Sequence, residues 1–201
     1  MTRTKSAYHH GDLRQALLTA AEIELGEKGL EGFTLRGVAR RAGVSHAAPA
    51  HHFKDTAAML TALATVAAER LTQSLEKYRA LATEDASDRI VASGIGYIAF
   101  ALENPALFKL LFGSERPDSD DPRLVEQAAR AFHILTGDIA ELRGADPMTE
   151  EEGMLDTAAL WSAVHGIASL LIADRMRFLK PMLTRDRNAT LARLIRRTIP
   201  R

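Results

Sequence analysis

Residues 34–53 read "TLRGVARRAGVSHAAPAHHF", and the reading of this stretch decides the fold. Thr34 is placed to cap a short helix whose Leu35, Val38, Ala39 and Ala42 share one face. Gly43 ends that helix in the left-handed conformation, which glycine adopts without a Cβ penalty. Ser45 is placed to cap a second short helix after a break of two residues, and Phe53 anchors its far end. Pro49 then falls at the fourth helical position, where its missing N–H removes only the first intrahelical hydrogen bond. Small residues at Ala39 and Gly43 let the two helices cross closely, which gives the stretch the dimensions of a helix-turn-helix. The histidines His46, His51 and His52 are spaced by five and one, and neither spacing turns ligands to one side of a helix, so no metal site is expected.

The surroundings carry an uneven charge. The chain of 201 residues is neutral overall, with 26 Lys+Arg against 26 Asp+Glu, yet residues 32–54 contain no acid. Arg36, Arg40, Arg41 and Lys54 lie there with the three histidines, and His9 and His10 lie further upstream. Such a block either meets an anionic partner or forms an ordinary solvated face. There is no cysteine, which excludes disulfides and thiol catalysis. The opening "MTRTKSAYHHGDLRQ" lacks the apolar run of a secretory signal. The longest uncharged run, 157–173, is short for a membrane span and reads as a buried helix, so a cytoplasmic protein is expected.

Helical periodicity covers almost everything else. Leu13, Leu17, Ala20, Ala21 and Leu25 mark a first helix, with Asp12 as its cap and Gly29 as its stop. A long helix over 56–81 carries Met59, Leu60, Leu63, Val66, Ala67 and Leu71. Further helices are expected at 88–103, around Phe108–Phe112, at 124–142, at 154–178 with Pro181 closing it, and at 186–197. "GIGYIA" at 94–99 matches a dinucleotide fingerprint in letters only, since no strand precedes it. No catalytic motif is present and no cofactor is expected.

The stretch "FTLRGVARRAGVSHAAPAHHFKD" at 33–55 resembles the helix-turn-helix signature of the TetR family of bacterial transcriptional regulators, and the length and all-helical pattern agree. The resemblance implies an all-α fold: a three-helix DNA-binding domain at 10–55 (motif 34–53), a connecting helix at 56–82, and a C-terminal effector-binding and dimerisation domain at 83–199. It implies a DNA operator as partner, contacted by Thr34, Arg36, Arg41, Ser45, His46, Ala47, Ala48, His51, His52 and Lys54. Histidine can donate to or accept from a base edge, and Ala47 and Ala48 can touch a thymine methyl. The chain departs from the family where Ala50 replaces a usual tyrosine and Thr56 a usual lysine, both of which hold phosphates.

In the C-terminal part, "LWSAVHGIASLL" at 160–171 resembles the Trp-x-x-x-His-Gly mark of one TetR subgroup. Trp161 and His165 fall one turn apart on one face. With Tyr97, Phe100, Phe108 and Phe112 they form either a filled core or the wall of a site for a largely apolar small molecule. Helix 154–178 is apolar nearly all round and must be buried on more than one side. Its Ala159, Ser162, Ala163, Gly166 and Leu170, with Leu191, Leu194 and Ile195 of the last helix, are the expected seam of a homodimer. Two functions remain: a repressor released by a small-molecule effector, or a helical small-molecule-binding protein or enzyme with a degenerate DNA-binding module.

Overall fold

Nine α-helices and two 3₁₀ turns account for the described secondary structure, with no strand among the described residues. The computed structural model describes residues 10–83 and 85–199. The segment at 1–9, including His9, and the side chains of His10 and of the expected cap Asp12 lie outside the described residues.

Helix α1 (His10–Gly32) buries Leu17, Ala21 and Leu25, the stripe that the spacing predicts. Gly29, non-helical at φ 64° and ψ −179°, breaks the helix where the sequence expects its stop, and a short last turn continues to Gly32. Helix α2 (Leu35–Arg41) starts as expected, the Thr34 hydroxyl accepting from Gly37 N at 3.0 Å. Gly43, at φ 69°, is left-handed. Gly37 is required by contact: a Cβ there would stand 2.0 Å from Oε1 of Glu24, a carboxylate buried between α1 and α2.

The second helix of the motif corrects the expectation. It is a 3₁₀ turn, Ala48–His51, with Ala47 at its cap position and no side-chain cap, so Ser45 does not cap it. Pro49 is the reason. An α-helix would need Pro49 N–H to bond Ser45 O; lacking that donor, Ser45 O takes Ala48 N instead at 3.0 Å, and Ala47 O takes Ala50 N at 3.1 Å.

Helix α3 (Thr56–Arg79) begins where Asp55 accepts from Ala58 N at 2.8 Å, and it buries Met59, Leu63, Ala67 and Leu71. It packs on α1 and also on α4 (Ala86–Glu103), α5 (Pro105–Gly113) and α6 (Pro122–Arg143). The axes of α4 and α5 turn by 108° across Asn104. The GIGYIA glycines lie mid-helix in α4, where a Cβ at Gly96 would meet Ser74 O at 2.6 Å and one at Gly94 would meet Ile195 at 3.0 Å. They permit close helix crossings, not nucleotide binding.

The expected helix 154–178 is three elements. Helix α7 (Glu151–Ile172) ends before Asp174, which is left-handed at φ 53°. A 3₁₀ turn, Arg177–Leu179, and α8 (Lys180–Arg185) follow, and Pro181 sits in the first turn of α8, opening that helix where it was expected to close another. Helix α9 (Arg187–Ile195) is capped by Asp186. Buried ion pairs tie the core together: Arg79 of α3 and Arg89 of α4 both reach Asp138 of α6, which has no exposed surface.

Candidate functional site

The surface around the 3₁₀ turn is exposed and cationic. Thr34, Arg36, Arg40, Ser45, His46, Ala47, His51 and Lys54 are exposed, while Ala48 and His52 are half-buried. Arg41 does not belong to it, which corrects the sequence expectation. Its guanidinium bonds Glu24 Oε2 at 2.9 Å and Glu27 Oε2 at 2.7 Å. Those bonds, Glu27 first, hold Arg41 above its ordinary pKa, and Arg41 holds the Glu27 carboxyl below its own. A cation so engaged locks α2 onto α1 instead of facing outward. Arg14 of α1 was missed: its guanidinium carbon lies 5.2 Å from the centroid of the Phe53 ring, beside the start of the exposed Lys54 segment. Arg14 and Phe53 are 39 positions apart, and no local spacing could have joined them.

A cavity of about 470 Å³ opens among α3, α4, α5, α6 and α7. Its wall takes Leu71 and Leu75 from α3, Ile90 and Tyr97 from α4, Phe112 from α5, Phe132 and Leu135 from α6, and Leu160 and Trp161 from α7. Of the expected site residues, Tyr97, Phe112 and Trp161 line it. Phe100, 1% exposed, and Phe108, 4% exposed, do not, because both pack into the core behind it. His165 is also behind the wall. It stacks on Phe108 with centroids 5.1 Å apart and meets the edge of Phe112 at 5.2 Å. Its Nδ1 is 2.9 Å from the Tyr97 hydroxyl.

Burial sets the protonation of this pair. It pushes the Tyr97 hydroxyl above its ordinary pKa, while the Trp161 indole at the same oxygen acts the other way. It pushes the His165 imidazole below its ordinary value, so the ring is neutral at pH 7. Tyr97 Oη and His165 Nδ1 share one hydrogen bond, whose direction follows the tautomer of the neutral ring. The α6 wall was not read as a site from the sequence, since Phe132 and Leu135 look like any buried helical stripe.

The expected seam divides. On α7, Ala159 and Ser162 are exposed, Leu170 is 46% exposed, and Ala163 and Gly166 are half-buried, forming a face with Met154 and Leu155. Only Gly153, Thr157, Leu160, Val164 and Ala168 of this helix are buried. Helix α7 is therefore covered on one side in the protomer, although its composition demands cover on more. Leu191 and Ile195 are corrected: they are 1% and 0% exposed in the core, Ile195 against Gly94 of α4, and cannot meet a partner. Leu194 is half-buried.

A family model described as "Bacterial regulatory proteins, tetR family" matches residues 17–63, and one described as "Tetracyclin repressor-like, C-terminal domain" matches residues 90–198. Among solved structures, the chain is 32% identical to a protein with unknown function from Rhodococcus sp. RHA1, over 94% of this chain and 98% of that one, at a TM-score of 0.75. It is 20% identical to the TetR family transcriptional regulator PfmR from Thermus thermophilus, over 92% and 99%, at 0.66. It is 13% identical to the fatty acid degradation regulator FadR from Bacillus halodurans, over 90% and 97%, at 0.66. A comparison with curated proteins finds no match.

Proposed function

Since the chain belongs to the TetR family of bacterial regulatory proteins, we propose that it represses transcription as a cytoplasmic homodimer and is released from its operator by a small molecule in the C-terminal cavity. The chain is a DNA-binding transcriptional regulator, and its structural neighbours of stated role, such as PfmR, are transcriptional regulators rather than enzymes. The observation that carries the proposal is one helix with two ends. Helix α3 begins three residues after Phe53 of the exposed cationic head and supplies Ala68, Leu71 and Leu75 to the cavity. A ligand that reshapes the cavity thereby bears on the element that orients the head, and the two binding events are linked reciprocally.

Residues 10–55 then form the reading domain, 56–82 the connecting helix, and 83–199 the effector and dimer domain. His46 and Ala47 read base edges, with Ser45 and Ala48 beside them. Arg36, His51 and Lys54 hold phosphates, as does the exposed O–H of Thr34. Tyr97, Phe112 and Trp161 contact effector. The exposed face of α7 through Ala159, Ser162, Ala163, Gly166 and Leu170 meets its copy, with Leu194 at the edge. The Trp161-x-x-x-His165-Gly166 run supports the subgroup with that mark. An electrophoretic shift on the DNA upstream of the protein's own coding region tests the reading. Wild type is expected to shift it and an Arg36→Ala/His46→Ala double variant is not; equal shifts by both would remove the assignment.

A further inference from the structure

Helix α7 carries a pattern along its uncovered side. Leu155, Ala159, Ser162 and Gly166 recur at spacings of four, three and four, on the face opposite the buried Thr157, Leu160, Val164 and Ala168. Leu155 and Leu170 stand exposed at its two ends and small residues occupy its middle, where a Cβ on Gly166 would meet nothing. A second helix can approach such a middle closely. Charge is segregated along the same line. Glu150, Glu151 and Glu152 open the helix, all exposed, and no Lys or Arg stands between Arg143 and Arg175. Past the end of α7 the sign reverses: residues 175–187 hold five cations and one acid, Asp186. A bond from Arg175 N to Leu170 O, 2.8 Å, keeps the start of that basic segment at the end of α7. Little of this charge is used within the protomer. Glu151, Glu152 and Arg175 make no ion pair among the described residues. Glu150 reaches Arg143 at 3.4 Å, and Arg177 has only an exposed partner, Asp174 at 2.7 Å. Phe178, 76% exposed, lies among the cations, and the exposed Met148 and Met154 flank the acids.

We propose that this side of α7 docks a second copy of the chain in antiparallel orientation, with residues 175–178 forming a clasp on the copy's acidic helix start. Two-fold symmetry allows α7 to lie parallel or antiparallel to its copy, and makes each contact twice. A parallel pair sets Glu150, Glu151 and Glu152 against the same acids of the copy, and Arg175 and Arg177 against the same cations, which is repulsive. An antiparallel pair centred on the small middle, between residues 162 and 164, sets 150–152 opposite 172–178 of the copy. Arg175 and Arg177 then meet the three glutamates, and Phe178 covers the copy's Met148 and Met154. The helix dipole favours acids at the start and cations at the end of any helix, but it does not leave three large apolar side chains exposed among them. This deepens the homodimer reading above and rests on it.

Charge reversal tests the clasp. Glu151→Lys/Glu152→Lys and Arg175→Glu/Arg177→Glu change exposed side chains only, so both variants are expected to fold, which circular dichroism checks. In sedimentation each variant alone is expected to dissociate at least about tenfold more readily than wild type, because its two clasps now oppose like charges. An equimolar mixture is expected to recover wild-type affinity, since in the mixed dimer both clasps again pair opposite charges. Wild type itself, with no substitution, is expected to dissociate more readily as salt rises from about 50 to about 500 mM. Separate variants that dimerise as tightly as wild type, a mixture no tighter than its components, or wild-type dimers indifferent to salt would overturn the clasp and leave the homodimer standing. Wild type that stays monomeric at every concentration overturns the homodimer reading, and the clasp with it.

Discussion

Arg36 and Arg41 are five positions apart in a block without acid, and only one of them is available to a partner. Arg41 is spent within the head, bonded to Glu24 and Glu27, while Arg36 is exposed with nothing bonded to it among the described contacts. Arg36→Ala is expected to weaken operator binding on every sequence and to lower the slope of log affinity against log salt by about 1. Arg41→Ala is expected to leave that slope unchanged and instead lower the melting temperature, because Glu24 is left buried without its cation. Fluorescence anisotropy over a salt series, beside thermal melts of the same variants, checks both. His165 yields the pH dependence. Burial depresses its folded pKa below about 6.5, so the fold favours the neutral ring. Above about 6.5 both states are neutral and the ring's contribution is complete. As pH falls below that value the unfolded chain takes the proton first, and stability is lost until the folded ring titrates too. Melts between pH 8 and 5 are expected to show wild type losing stability faster than His165→Gln over the acidic half of that range; parallel curves would contradict the desolvated, neutral assignment.

Among the elements, α3 and α4 cross closely at Gly96. Ser74 Oγ donates to Gly96 O at 2.8 Å, and a Cβ on Gly96 would stand 2.6 Å from Ser74 O. The obstacle is backbone, which cannot swing aside as a side chain does. Gly96→Ala is therefore expected to push α3 from α4 and cost about 1–3 kcal/mol, measured by chemical denaturation. Both helices line the cavity, so the same variant is expected to weaken ligand binding while the exposed surface of the head stays intact. The 3₁₀ turn shows the opposite kind of control. The missing donor at Pro49 is local, removing the α-helical bond to Ser45 O that Ala48 N takes instead.

The whole molecule is incomplete as one chain. Helix α7 exposes Met154, Leu155 and Leu170 on the side away from α4. Gly166 has open space around its Cα, so a large side chain fits within the protomer and meets only what docks from outside. Gly166→Arg is expected to fold normally and sediment as a monomer where wild type sediments as a dimer. Leu191→Ala, on a residue expected at the same seam but found in the core, is expected to cost about 2–5 kcal/mol of stability and leave assembly unchanged. If Gly166→Arg remained dimeric, the seam would lie elsewhere.

What the sequence determined by itself rests on neighbours in the chain, though not every local reading held: Ser45 caps nothing, and the helix expected over 154–178 is three elements. The cap at Thr34, the left-handed Gly43, the helical stripes and the all-α class follow from residues within a turn or two of one another. The helix-turn-helix stretch is legible for the same reason, since its signature is contiguous. Tertiary structure alone decided which members of a correct stripe face inward and which cations are already engaged. Periodicity places Leu191 and Ile195 on one face of α9 but does not say whether that face meets α4 or a partner. An acid-free run places Arg41 in a basic block but does not show Glu24 and Glu27, 17 and 14 positions upstream, folding back to bond it. The cavity is the extreme case. Five helices contribute to its wall, and one wall residue, Tyr97, is hydrogen-bonded to His165, 68 positions away. No local pattern encodes a space that exists only when separate helices pack and leave it unfilled.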